Sequence, residues 1–136
     1  MPTADIEWKT IKPPEPLTNF VKSFWMLANH SDQNHHIVIL PDGRFDIIFS
    51  WSEKTPFRAT LKGLDIEPEQ TTIPPDTIFF AVSFKLLAIE YLLDEKVNSL
   101  LNEGIRLPTD FWGITRDDLT DFDAFCKKVL QKCLRS

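Results

Sequence analysis

Residues 35–51 read HHIVIL-PDG-RFDIIFSW. Two apolar, β-branched runs flank a Pro-Asp-Gly triplet. Pro41 presets φ for a turn, the Asp42 side chain can bond back to the backbone, and Gly43 tolerates a positive φ. The spacing predicts a β-hairpin with a three- or four-residue connection. Side chains alternate along a strand, so Phe45, Ile47, Phe49 and Trp51 fall on one face of its second arm. Arg44, Asp46, Ile48 and Ser50 fall on the other.

Working outward, NFVKSFWMLA (19–28) is dense in aromatic and β-branched residues and predicts a strand buried on both sides near its middle. FRATLKG (57–63) alternates as a half-exposed strand, and a short strand is expected near Thr71–Ile73. TIFFAVSF (77–84) is a last, strongly apolar strand. Residues 1–17 carry Pro13, Pro14 and Pro16 and read as an extended arm, with a short strand around Ile6–Trp8. After residue 84 the period changes. KLLAIEYLL suggests a short helix and Glu95–Asn102 a second, with Gly104 as its stop. Leu119, Phe122, Phe125, Cys126, Val129, Leu130, Cys133 and Leu134 recur at three and four, the apolar stripe of an amphipathic helix. Thr115 and Asp118 resemble a capping box at its start. The pattern predicts an α+β domain over residues 18–136, β-rich over 18–84 and helical over 85–136. Its architecture would be a curled antiparallel β-sheet or cupin-like small barrel followed by C-terminal helices.

At 136 residues the chain suits one domain with an ordinary core. Its net charge of −5 argues against tight binding of DNA by this stretch, because phosphate binders carry a basic face. The one local concentration of cations, Lys127, Lys128, Lys132 and Arg135, reads as the solvated face of the last helix. No apolar run reaches the roughly 18–20 residues of a membrane span, and residues 1–12 lack a signal-peptide pattern, so a cytoplasmic protein with no membrane partner is expected. Cys126 and Cys133 lie about 10 Å apart along a helix axis, too far to bridge each other.

Few residues suggest catalysis. His35 and His36 are adjacent and would point to opposite faces of a strand. With His30 they form no His-x-His pattern, so no metal and no cofactor are expected. There is no Gly-x-Ser-x-Gly elbow and no glycine-rich phosphate loop, and both cysteines fall on a helix's apolar stripe. No catalytic residues emerge, and a non-enzyme is expected. Asp46 stands out, because an unpaired carboxylate in an apolar strand is costly. Two explanations are open: pairing with Arg44 or turn amides, or a polar anchor for a ligand held by the sheet.

Four stretches, VKSFW (21–25), ILPDGRFDIIFSW (39–51), FFAVSFKLLAIEYLL (79–93) and IRLPTDFWG (105–113), resemble in order the N-terminal domain of AraC-type transcription regulators. The group concerned carries Val-x-x-x-Trp, then Leu-Pro-Asp-Gly-x-x-Asp-Ile-Ile-Phe, then Gly-Val-x-Phe-x-Pro-Gly. The resemblance spans about residues 16–134, and Pro41-Asp42-Gly43 with Asp46 carry most of it. Ala81 stands where the group has Gly, and Leu86-Leu87 where it has Pro-Gly. The resemblance implies a ligand-sensing and dimerisation domain with a cupin-like cavity. It would bind an unknown small-molecule effector and form a homodimer. DNA would be contacted only through a C-terminal helix-turn-helix domain absent from this chain. Trp25, Asp46, Phe49, Trp51 and Phe80 are the candidate ligand-binding residues. The alternative is a stand-alone interaction protein that pairs with a related regulator through the apolar stripe of its last helix, should the sheet leave that stripe uncovered. A cupin-like enzyme is the third reading.

Overall fold

The aromatic and β-branched runs form strands, as the alternation requires. The computed structural model describes residues 6–39, 44–62, 68–85 and 104–134. Its strands are β1 (Ile6–Ile11), β2 (Val21–Asn29), β3 (His35–Ile39), β4 (Phe45–Trp51), β5 (Arg58–Lys62), β6 (Glu69–Ile73), β7 (Thr77–Phe84) and β8 (Gly104–Leu107). Six of them form one antiparallel sheet in the order β1-β2-β7-β4-β5-β8, and β3 and β6 form a separate two-stranded ribbon. The large sheet is not closed, since β1 and β8 are its ends. A C-terminal helix, α1 (Phe122–Leu134), completes an α+β arrangement.

The expected hairpin across Pro41-Asp42-Gly43 is not formed. Its two arms enter different sheets: β3 pairs with β6, while β4 lies between β5 and β7. Burial explains the split. β4 alternates buried and half-buried residues, and β7 is buried over its last five positions, so β7 offers β4 an apolar partner over seven paired residues. β3 has little to bury, with both histidines exposed and Val38 57% exposed. The triplet itself lies outside the described residues.

Period two divides the large sheet into two faces. One carries Phe24, Met26, Phe45, Ile47, Phe49, Leu61, Phe80, Val82 and Phe84, all buried. Against it pack Leu119, Phe122, Phe125, Val129 and Cys133 in one core cluster. Edge-to-face contacts Phe49–Phe125 (5.7 Å) and Phe80–Phe125 (5.2 Å) fix the seam. The stripe of the last helix is therefore covered by its own sheet, which removes it as the interface considered from sequence.

Three further expectations are corrected. The N-terminal arm carries a six-residue strand, Ile6–Ile11, paired along β2 and longer than Ile6–Trp8. Gly104 begins β8, which pairs with β5 and was not anticipated. The last helix starts at Phe122, not directly after the Thr115–Asp118 box. The Asp121 carboxylate accepts from the Ala124 amide (3.2 Å) at its start. The Thr115–Asp118 box is present, but it closes a 3₁₀ turn at Arg116–Thr120 that precedes the helix. The two helices expected before Gly104 lie outside the described residues.

Candidate ligand-binding face

The sheet's second face is made of different material. Along β2 it presents Ser23, Trp25 and Leu27, along β7 Phe79, Ala81 and Ser83, along β4 Asp46, Ile48 and Ser50, along β5 Arg58, Thr60 and Lys62, and on β8 Arg106. This follows from the strand register, because directly paired residues share a face.

The five residues expected to bind ligand divide between the faces. Phe49 and Phe80 are buried in the core beneath α1. Trp51 shares their face at the end of β4, where the Arg116 guanidinium sits 5.3 Å above its ring. Trp25 and Asp46 lie on the opposite face. One sheet separates the two groups, so the five do not line one cavity.

Trp25 and Asp46 are brought together by a residue that sequence reasoning missed. The Trp25 indole N–H donates to Ser83 Oγ at 3.0 Å, and the Ser83 hydroxyl donates to the Asp46 carboxylate. Ser83 is buried and directly opposite Asp46 in the β4–β7 register. A hydroxyl with one proton to give is thereby oriented: it accepts from the indole and donates to the carboxylate. The cost of a carboxylate in an apolar strand is met by a charge-assisted bond. Ser83 was legible only as the one polar residue inside FFAVSF, and its importance depends on register. Trp8 of β1, 60% exposed, stacks on Trp25 at 5.6 Å with 13° between the rings.

Other polar groups are occupied structurally. Asn29, buried at the end of β2, donates to the carbonyls of Ile73 (3.0 Å), Pro74 (3.2 Å) and Gln33 (2.9 Å), tying the large sheet to the ribbon. His30 bonds Glu7 at 3.0 Å and His36 bonds Thr72 at 2.9 Å. Hydrogen bonding from His30 holds the Glu7 carboxyl below its ordinary value, against a smaller upward push from burial. Among the described residues no group of three or more His, Cys, Asp or Glu is placed to hold a metal. Burial pushes the Cys126 thiol up to about 12, with Asp123 adding to it, and the Cys133 thiol up to about 11. Neither is therefore a thiolate nucleophile at neutral pH. A hollow of about 530 Å³ lies along the ribbon, lined by His36–Val38 and Gln70–Thr72. Consecutive strand residues point to alternate faces, so this lining describes a groove over an exposed ribbon rather than a chamber.

An antiparallel sheet sealed on one face by a helix, with an oriented carboxylate on the other, defines a class of β-rich α+β domain. The chain belongs to the family described as a domain of unknown function (DUF6597), whose model matches residues 9–106. That match takes in the second half of β1, all of β2–β7 and the first three residues of β8, including Trp25, Asp46 and Ser83, and stops before α1. No curated protein and no solved structure matches the chain. Among the described residues no helix is long and apolar enough to cross a membrane.

Proposed function

We propose that the chain is a ligand-sensing and dimerisation domain of an AraC-type transcription regulator, with a cupin-like use of its sheet. The observation that carries the reading is the Trp25–Ser83–Asp46 chain of hydrogen bonds. The aspartate that ends the Leu-Pro-Asp-Gly-x-x-Asp motif is held in a fixed orientation on the face that α1 does not seal. Such a site can bind an effector through one oriented carboxylate and an aromatic wall. It can signal only if the effector prefers one of two arrangements of the domain. A second copy would add along β1, an end strand of the sheet with Trp8 exposed. DNA would be contacted by a separate helix-turn-helix region.

The test is titration of a panel of small metabolites, followed by tryptophan fluorescence, into the wild type and Asp46→Ala. The expected result is at least one compound that binds the wild type and binds the variant tenfold or more weakly. A panel member bound equally by both would remove Asp46 from the site. Silence across the panel would count against sensing altogether. Sedimentation equilibrium gives the oligomeric state, and a strict monomer at high concentration would refute dimerisation.

A further inference from the structure

β1 ends the six-stranded sheet, and among the described residues no strand pairs with its outer edge. Its middle is open on both faces, because the consecutive residues Trp8, Lys9 and Thr10 are all exposed. An edge of this kind is a template for another strand unless something blocks it, and a lysine is a common block. Lys9 stands in the middle of β1. Its effect depends on Glu7, two residues back on the same face, whose carboxylate lies 3.4 Å from the Lys9 ammonium.

A closed pair of identical strands uses the same patch on both copies, so each contact between residues i and j occurs twice. Every ladder between the strands of this fold is antiparallel. In an antiparallel pair directly opposed residues share a face, which puts the two-fold axis on a residue rather than between two. The charges then choose among the centres within Glu7–Lys9. An axis at Glu7 sets two carboxylates against each other, and an axis at Lys9 sets two ammoniums against each other, both unfavourable. An axis at Trp8 sets Glu7 opposite the partner's Lys9 twice over, Trp8 opposite the partner's Trp8, and Ile6 opposite the partner's Thr10. In that register the blocking lysine becomes a complementary one. The His30 imidazole, 3.0 Å from the other Glu7 oxygen, steadies the carboxylate. Trp8 stacks on Trp25 at 5.6 Å yet is 60% exposed, so the same register brings two uncovered indoles side by side.

Building on the dimerisation proposed above, we infer that two copies of the chain join antiparallel along β1, with Trp8 on the two-fold axis and Glu7 opposite the partner's Lys9. The two six-stranded sheets become one, with the α1 of each copy on the same side. The strand edges and indoles supply the attachment. The exposed charges contribute little each as ion pairs, and their part is to exclude the other registers.

Sedimentation equilibrium of the wild type, Glu7→Lys, Lys9→Glu and an equal mixture of the two variants tests the inference. The wild type is expected to dimerise. Each single reversal puts like charges opposite each other twice and should weaken self-association tenfold or more. The mixture should recover association close to the wild type, because two cationic positions of one copy then face two anionic positions of the other. Loss of the Glu7–Lys9 contact within one chain would not be repaired by mixing. Oxidation should also link Trp8→Cys copies to each other, since directly opposed Cα atoms lie within disulfide reach. Thr10→Cys copies, roughly 13 Å apart along the strands, should link no more than the wild type. Reversals without effect, or a mixture no tighter than its components, overturn the inference while dimerisation itself stands. A strictly monomeric wild type overturns both, and the metabolite panel then judges sensing separately.

Discussion

The two faces of the six-stranded sheet come from the same strands and differ by one residue of register. On the helix side nearly every position is Phe, Ile, Leu, Val or Met, and α1 interlocks with them through Phe122 and Phe125. On the other side aromatic, small, hydroxyl and charged residues alternate, and several are half-buried. The first face is complete within the chain and serves stability. The second keeps a carboxylate, three serines and two arginines among its apolar residues.

The contrast is most easily broken by substitution. Phe125→Ala should cost about 3–5 kcal/mol, because a fully buried ring is replaced by a cavity. In thermal unfolding its midpoint should fall by more than about 10 °C for a chain of this size. A loss under about 1 kcal/mol would mean that α1 is not sealed to the sheet. Ser83→Ala, on the other face, removes both the acceptor for Trp25 and a donor to Asp46. Denaturant melts should show a loss of about 1–3 kcal/mol. An unchanged midpoint would dissolve the hydrogen-bonded chain.

Asp118 sharpens the comparison from the helix side. Its carboxylate accepts from the Thr115 amide (2.8 Å) and the Lys128 ammonium (3.0 Å). Burial pushes its pKa up, but these bonds outweigh it and leave the group below its ordinary value of 3.8. A depressed carboxyl pKa means stability that is present above the unfolded value and lost as pH falls through the folded one. Asp118→Asn should therefore cost roughly 1 kcal/mol at pH 7. The gap to wild type should shrink as pH drops below 3.8, and a gap independent of pH would contradict the assignment. Trp8→Ala should have the smallest effect, about 0.5–1.5 kcal/mol from its stack on Trp25. A shift in Trp25 fluorescence should accompany it, and its absence would mean that the rings do not touch.

Much of the fold was legible because local signals were strong. The alternation of RFDIIFSW and FRATLKG, the apolar TIFFAVSF and the three-and-four stripe of the last helix each reported their own burial. What failed was pairing. A Pro-Asp-Gly triplet between apolar arms does not by itself say whether the arms pair with each other. Only the competition of β5 and β7 for the edges of β4 decides between them, and that is not a local property. The site was half legible for the same reason. Asp46 was conspicuous as a charge in an apolar strand. The aromatic candidates chosen with it were undifferentiated by face, so Phe49 and Phe80 proved to be core. Ser83 acquired meaning only through strand register.

The central claim is that the face opposite α1 binds a small molecule. It is tested most directly by mapping amide shifts in ¹H–¹⁵N spectra as each compound of the metabolite panel is added as probe. Shifts should concentrate at Trp25, Asp46 and Ser83, with Phe125 and Val129 of α1 unmoved. Shifts confined to α1 and the residues packed under it, or none at saturating probe, would contradict it.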